Sequence, residues 1–587
     1  MGSLGNSEEG LGVDGVAADA LADYEHPVSV EKFRKLGYEV VDMICEYMSS
    51  AKQRHVMPDV QVRSASVQQQ QCSSSSSSSS GSNRAAGRAV KWAGHVMPDV
   101  QPGFLRPQLP ASAPQQPEPW QDIKRDFYDK IMRGVLHWQS PHFFAWFGGN
   151  TSGPSILAEM LIASLNMIGF SWQSSPISTE LEMVMMDWLG KLCGLPDKFI
   201  TAASSSSADQ TTSDAANGSS SSNGAAAAAA AKPGGGVIQG TSSEAVLVAM
   251  LAGRARALDG QPPEAALKLV AYGSDQAHMC FKKAAMVCGL QHTRLLKASA
   301  EHDYALDPKT LQEAVAADLA QGLIPFYACA TIGTTSSCAV DPVGELGRVC
   351  QQHGVWLHVD AAWAGSASIL PEQRHWFAGL EHVDSLSFSV HKWLLVNFDC
   401  AAMWLADTTW LKEALSMTPI YLRFTGNVHD YKDWQIPLGR RFRSLKLWFV
   451  MRMYGAEKLQ GMVRHHIALG QWFAQQVEAD GRFEIPVPPR FGLTCFRLKG
   501  ADNATNRQLM EAVNAQGVIF IIPTELSGKL TIRFAVGNAN TQLEHVQRGW
   551  AIIKEQADKL LAGSSSSSSS KEASGTEQQQ QQQQQQQ

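Results

Sequence analysis

The sequence contains no Cys-x-x-Cys pair among its ten cysteines, so it offers no metal-type thiol spacing. The scattered cysteines fit reduced thiols better than a disulfide framework. No uninterrupted apolar run reaches about 18 residues, the length a membrane-spanning helix needs. Positive charge is not in excess: net charge is −6 and the pI is about 6.3, which leaves no electrostatic footprint for nucleic acid. A Walker A signature is missing, and no G-x-G-x-x-G joins a strand-like run to a helix, which argues against a nucleotide-binding α/β enzyme. The N-terminal "MGSLGNSEEG" lacks the apolar segment and early basic residues of a secretory signal. Asn6 stands where myristoylation requires Ser or Thr, and the region is too acidic for a transit peptide. A cytoplasmic protein without a membrane span is the expectation.

Four segments are too polar and repetitive to bury a core. They are residues 1–26, an insert at 62–94, an insert at 201–235, and a Ser/Gln tail at 564–587. The heptapeptide "HVMPDVQ" occurs at His55–Gln61 and again at His95–Gln101, on either side of the first insert. Two copies flanking such a tract indicate a duplication carrying an insertion rather than a repeat fold. The expected division is an N-terminal helical segment at 27–154, a large domain at 155–445 and a small domain at 446–563.

In "FRKLGYEVVDMICEYM", Phe33, Leu36, Val40, Met43 and Tyr47 share one face, which predicts an amphipathic helix. "GGGVIQGTSSEAVLVAMLAGRARAL" reads as strand, turn and helix. Strand-like "LKLVAY", "IPFYACATIG", "VWLHVDAA" and "VDSLSFS" follow, mostly with helical stretches between them. That alternation predicts an α/β fold with a mostly parallel sheet, whose ligands bind at the carboxyl ends of the strands.

Chemistry-bearing residues fall just after these strands. Lys392 interrupts an apolar run; it is either a snorkelling side chain or a Schiff-base nucleophile. Asp360 ends "WLHVD"; it either caps the next helix or faces a cationic ring nitrogen. Ser242 and Ser243 open a helix and serve as caps or as a phosphate nest. His278 and Thr335 occupy similar strand-end positions, and a histidine there can stack on a flat ring. Together these supply a phosphate nest, a stacking group, an anion and a lysine, the set a pyridoxal phosphate site needs.

The blocks "GFSWQSSPISTELEMVMMDWLGK", "GGGVIQGTSSEA", "LHVDAAWAGSA", "HKWLLVNFDC" and "DWQIPLGRRFRSLK" resemble the group II pyridoxal-phosphate decarboxylases, specifically the aromatic-L-amino-acid decarboxylases. The resemblance runs from Glu31 to Ala557 around the two inserts. It implies pyridoxal-phosphate fold type I, with a mostly parallel large-domain sheet, N-terminal helices that wrap a partner subunit, and a small C-terminal α/β domain. It also implies a homodimer with shared active sites. Lys392 would hold pyridoxal 5'-phosphate as a covalent aldimine, Asp360 would pair with the ring nitrogen and Ala362 would pack near it. His278 would stack on the ring, while Ser242, Ser243, Thr335, Ser389 and His391 would contact the cofactor or its phosphate. Tyr421 matches the loop tyrosine that reprotonates the α carbon of the quinonoid. Three departures stand out. The loop from Tyr421 to Asp430 is shorter than in animal relatives, Ser389-Val390 replaces a more common Asn-Pro or Asn-Ala, and Gly149 replaces a threonine.

By the same resemblance Trp138, Trp146, Phe147, Gly149, Phe170 and Gly439 line the substrate pocket, and a wall of rings favours an aromatic side chain. Glycine at 439 admits an indole, so tryptophan is the first expected substrate, ahead of tyrosine, 3,4-dihydroxyphenylalanine and phenylalanine. Aromatic aldehyde synthase and histidine decarboxylase are alternatives on the same scaffold. A non-catalytic interaction protein is the rival from another class, disfavoured by the joint presence of Lys392, Asp360, His278 and Tyr421.

Overall fold

The computed structural model describes residues 30–51, 100–201, 233–417 and 429–562. The segments 1–26, 62–94 and 564–587, nearly all of 201–235, the first heptapeptide copy and Tyr421 lie outside these residues. The chain divides into two compact units, 1–53 and 54–587. In the first, the amphipathic stretch forms one helix, Val30–Ala51.

The second unit holds two sheets. The larger contains β1 (Gly235–Gln239), β2 (Leu269–Ser274), β3 (His292–Leu296), β4 (Ile324–Thr331), β5 (Trp356–Asp360), β6 (Ser385–Ser389) and β7 (Ala401–Leu405), in the order β1-β7-β6-β5-β4-β2-β3. Four of its ladders are parallel; β7 alone runs against both of its neighbours. All other strands therefore point their carboxyl ends the same way. Strands β1, β2, β5, β6 and β7 are buried along their whole length, as a sheet covered on both faces requires. One apolar cluster gathers Leu357, Val359, Leu386 and Trp404; the other gathers Val237, Ala271, Tyr327 and Trp356.

The smaller sheet contains β8 (Phe483–Glu484), β9 (Leu493–Leu498), β10 (Ile522–Leu526) and β11 (Lys529–Ala535), in the antiparallel order β10-β11-β9-β8. The helix Arg443–Ala479 connects the two cores and turns at Gly455, whose φ of +68° suits a residue without a side chain. Its first half packs Leu447, Val450, Leu459 and Val463 into the core of the large sheet. Its second half packs Leu469, Phe473 and Val477 against β9 and β11. Among the described residues no helix is long and apolar enough to cross a membrane.

Candidate active site

The carboxyl ends of β1, β2, β4, β5 and β6 surround one cavity of about 270 Å³. It is lined by Ser242 and Ser243 after β1, His278 after β2, Thr335 after β4, Asp360 and Ala362 at β5, and Ser389, His391 and Lys392 at β6. Nine of the residues singled out in the sequence are thus brought together by the crossover topology. Phe147 joins them from a segment far away in the chain.

Lys392 sits in a single helical turn, Val390–Trp393, immediately after β6. Val390 is fully buried in the core, and the Ser389 amide donates to the Ala362 carbonyl at 3.0 Å. Asn150, only 3% exposed, clamps the turn from outside the sheet. Its amide N–H donates to the His391 carbonyl at 3.0 Å, and its Nδ2 donates to the Lys392 carbonyl at 2.6 Å. Burial pulls the Lys392 amine below the usual lysine range; the Asp360 carboxylate acts against that. Arg533, 2% exposed, places its guanidinium 4.8 Å from the centre of the Phe147 ring and forms no ion pair among the described residues. Its positive charge lowers Lys392 further.

Asp360 is 4% exposed. Its Oδ1 accepts from the Ala362 N–H at 3.0 Å, and its Oδ2 lies 3.8 Å from the Cys280 thiol. Burial raises its carboxyl above the usual range, opposed by Lys392, His278 and those two donors. In register beside it stands Thr331, whose buried hydroxyl lines the cavity without a partner. His278 accepts the Cys280 backbone N–H on Nδ1 at 3.2 Å. Burial lowers its pKa, so the imidazole is held neutral with its proton on Nε2.

At the opposite rim, the helix Ser242–Leu258 presents its N-terminus. Thr241 caps it through Oγ1, which accepts the Glu244 N–H at 3.3 Å. The N–H groups of Ser242 and Ser243 have no carbonyl of the preceding turn to bond, so the helix end favours an anion. Hydroxyls of Ser242 and Ser389 meet at 2.7 Å, which brings β6 to this nest. His391 is fixed by its Nδ1 against the Cys400 backbone, and burial pushes its pKa down to about 4. Gly333, at φ +84°, makes the turn after β4; a Cβ there would fall 2.6 Å from Ala364.

The cavity therefore has an anion-binding end, a buried carboxylate with a neighbouring orphan hydroxyl, and a weakened lysine amine. These features fit pyridoxal phosphate, which carries a phosphate, a basic ring nitrogen and an aldehyde.

The remaining expected substrate residues lie outside this lining. Trp138 and Trp146 stack on each other at 5.4 Å and are 38% and 41% exposed. Gly149 accepts from Gln139 Nε2 at 2.7 Å, and a Cβ there would meet nothing within 4 Å. Phe170 and Gly439 adjoin through the Gly169 N–H to Arg440 carbonyl bond of 2.9 Å. A Cβ on Gly439 would meet only Ile168, at 3.8 Å. Sequence reasoning passed over Thr331, Trp363, Phe398, Cys280, Arg533 and Asn150. Trp363 stacks between Phe147 (4.4 Å) and Trp393 (4.2 Å). Its position in "DAAWAG" was a usable signal, whereas nothing local marks Asn150, 242 residues from the lysine it holds.

Residues 102–499 match the family model described as the pyridoxal-dependent decarboxylase conserved domain. The chain is 47% identical over 546 residues to the aromatic-L-amino-acid decarboxylase of Bos taurus, covering 91% of this chain and 98% of that protein. It is 45% identical over 478 residues to the phenylacetaldehyde synthase of Arabidopsis thaliana, covering 79% and 92%. The crystal structure of Oryza sativa TDC with PLP and tryptamine superposes with a TM-score of 0.78 at 35% identity, covering 92% of this chain and all of that one.

Proposed function

As the chain belongs to the pyridoxal-dependent decarboxylase family, we propose that it converts aromatic L-amino acids to the corresponding amines and carbon dioxide. The observation that carries this reading is the single cavity that unites Lys392, Asp360 and His278 with the anion nest of Ser242, Ser243 and Ser389. Bound pyridoxal phosphate supplies a conjugated ring that accepts the electron pair left as carbon dioxide departs.

The chain's residues divide the remaining work. Lys392, weakened as a base by burial, is the amine that would hold the cofactor through its aldehyde carbon. Asp360 would keep a proton at the ring nitrogen. His278, a neutral imidazole, would cover the ring. Ser242, Ser243, Thr335, Ser389 and His391 would hold the phosphate. Phe147 and Trp363 provide an apolar, water-excluding wall, and the charge of Arg533, without an ion-pair partner among the described residues, would favour a substrate carrying a carboxylate. Tyr421, outside the described residues, is assigned the proton delivered to the α carbon.

Tryptophan is the favoured substrate, supported by the lack of a side chain at Gly439, where an added Cβ would meet only Ile168, at 3.8 Å. Two subunits are inferred to share each pair of sites. Support comes from the apolar side chains of Leu157, Met160, Leu161, Ile177, Val184 and Trp188, exposed on the helices Gly153–Leu165 and Pro176–Cys193. The Val30–Ala51 helix is proposed to wrap the partner, and the setting is proposed to be the cytoplasm.

A second reading, aromatic aldehyde synthase, is favoured by the likeness to phenylacetaldehyde synthase. Purified protein assayed on a panel of L-amino acids for carbon dioxide, amine and peroxide separates the two. Amine equal to carbon dioxide supports decarboxylation; peroxide and aldehyde equal to carbon dioxide support the synthase. Release of carbon dioxide from histidine alone would contradict the aromatic assignment.

A further inference from the structure

Cys280 opens the helix Cys280–Val287, two residues after the expected stacking histidine, and is 4% exposed. It touches both polar groups that face the cofactor ring. Its backbone N–H donates to His278 Nδ1 at 3.2 Å, which leaves the proton on Nε2. Its Sγ lies 3.8 Å from Asp360 Oδ2. The Ala362 N–H occupies Oδ1, so among the described residues the thiol is the one protein donor to the other oxygen of this buried carboxylate. Burial and the adjacent carboxylate push the thiol's own pKa far upward, so it remains protonated and serves as a donor, not as a nucleophile.

We infer that Cys280 is a positioning residue that sets where the proton between Asp360 and the cofactor ring nitrogen resides. The inference rests on the pyridoxal phosphate reading of the cavity. A thiol that donates to Oδ2 stabilises the carboxylate form of Asp360 and makes it a poorer proton acceptor. The proton then stays on the ring nitrogen, where it strengthens the ring's pull on electrons. Without the thiol, Asp360 becomes more basic and draws that proton toward itself. The same backbone segment fixes the His278 tautomer, so one short turn orients both partners of the ring.

The test uses the cofactor-loaded full chain with ¹⁵N at the pyridine nitrogen, read by NMR beside steady-state kinetics. Cys280→Ala removes both donor and volume. Cys280→Val removes the donor and keeps most of the volume. Both variants are expected to move the ring-nitrogen signal toward the neutral form and to lower kcat by roughly 3- to 10-fold, with KM within about 2-fold of wild type. If Cys280→Val matches wild type in signal and kcat, the thiol is packing only and the inference is overturned. If Cys280→Ala is poorly folded, Cys280→Val decides alone. Should wild-type protein hold no cofactor at all, the pyridoxal phosphate reading itself fails, whatever the variants do.

Discussion

Asn150→Ala tests the clamp on the lysine turn. The substitution leaves the backbone bond to His391 in place and removes three others. These are Nδ2 to the Lys392 carbonyl (2.6 Å), Nδ2 to the Gly537 carbonyl (2.7 Å), and the Ala539 N–H to Oδ1 (3.0 Å). At a net value of about 1 kcal/mol per bond the loss is about 3 kcal/mol, rising to roughly 6 kcal/mol if the freed groups stay dry. The clamp joins the Lys392 turn to the segment that follows β11, so part of the cost falls on the lysine's position. A misplaced nucleophile also lowers the rate. We expect a urea midpoint well below wild type, cofactor affinity reduced by about 10-fold, and kcat reduced at least as much. Asn150→Asp is expected to be worse, because a carboxylate would then face two carbonyls. The assay is urea unfolding followed by fluorescence, with cofactor titration by absorbance. A midpoint shift worth less than about 1 kcal/mol together with unchanged cofactor affinity would show that Asn150 does not hold the lysine turn.

Asp360→Asn preserves the shape and the Ala362 bond but removes the charge proposed to hold the ring-nitrogen proton; kcat is expected to fall by about 100-fold or more, corresponding to about 3 kcal/mol. A kcat within threefold of wild type would sink that role. Stability is expected to decline below neutral pH. Burial sets His358 and His466 at about 3 and His391 at about 4, so the unfolded chain takes up protons below pH 6.5 that the folded chain does not. At pH 5 this costs about 2 kcal/mol for each histidine, against about 1 kcal/mol gained at Asp341, which burial raises to about 6. A urea midpoint no lower at pH 5 than at pH 7 would contradict it.

Period and composition disclosed the large sheet because its central strands are continuous apolar runs flanked by helical stretches. Strand β3, "HTRLL", escaped notice because it lies at the sheet edge with most positions half-exposed. Strand β7, "AAMWL", has no periodicity to mark it, and its reversed direction follows from a short return after the lysine turn. The strand-end residues that line the cavity were legible because parallel strands send their carboxyl ends to one edge of the sheet. Asn150 and Arg533 were not, since each acts through contacts with segments hundreds of residues away. The substitution of Ser389-Val390 for the more common pair has a physical reading. Val390 fills the core and the Ser389 hydroxyl bonds Ser242, tying the lysine turn to the anion nest.

In the proposed function Lys392 carries the cofactor through its amine. Borohydride reduction of the loaded protein, followed by proteolysis and peptide mass spectrometry, tests it most directly. A pyridoxyl group is expected on Lys392 and none in Lys392→Ala, which is also expected to be inactive. A label on another lysine, or full activity in Lys392→Ala, would contradict it.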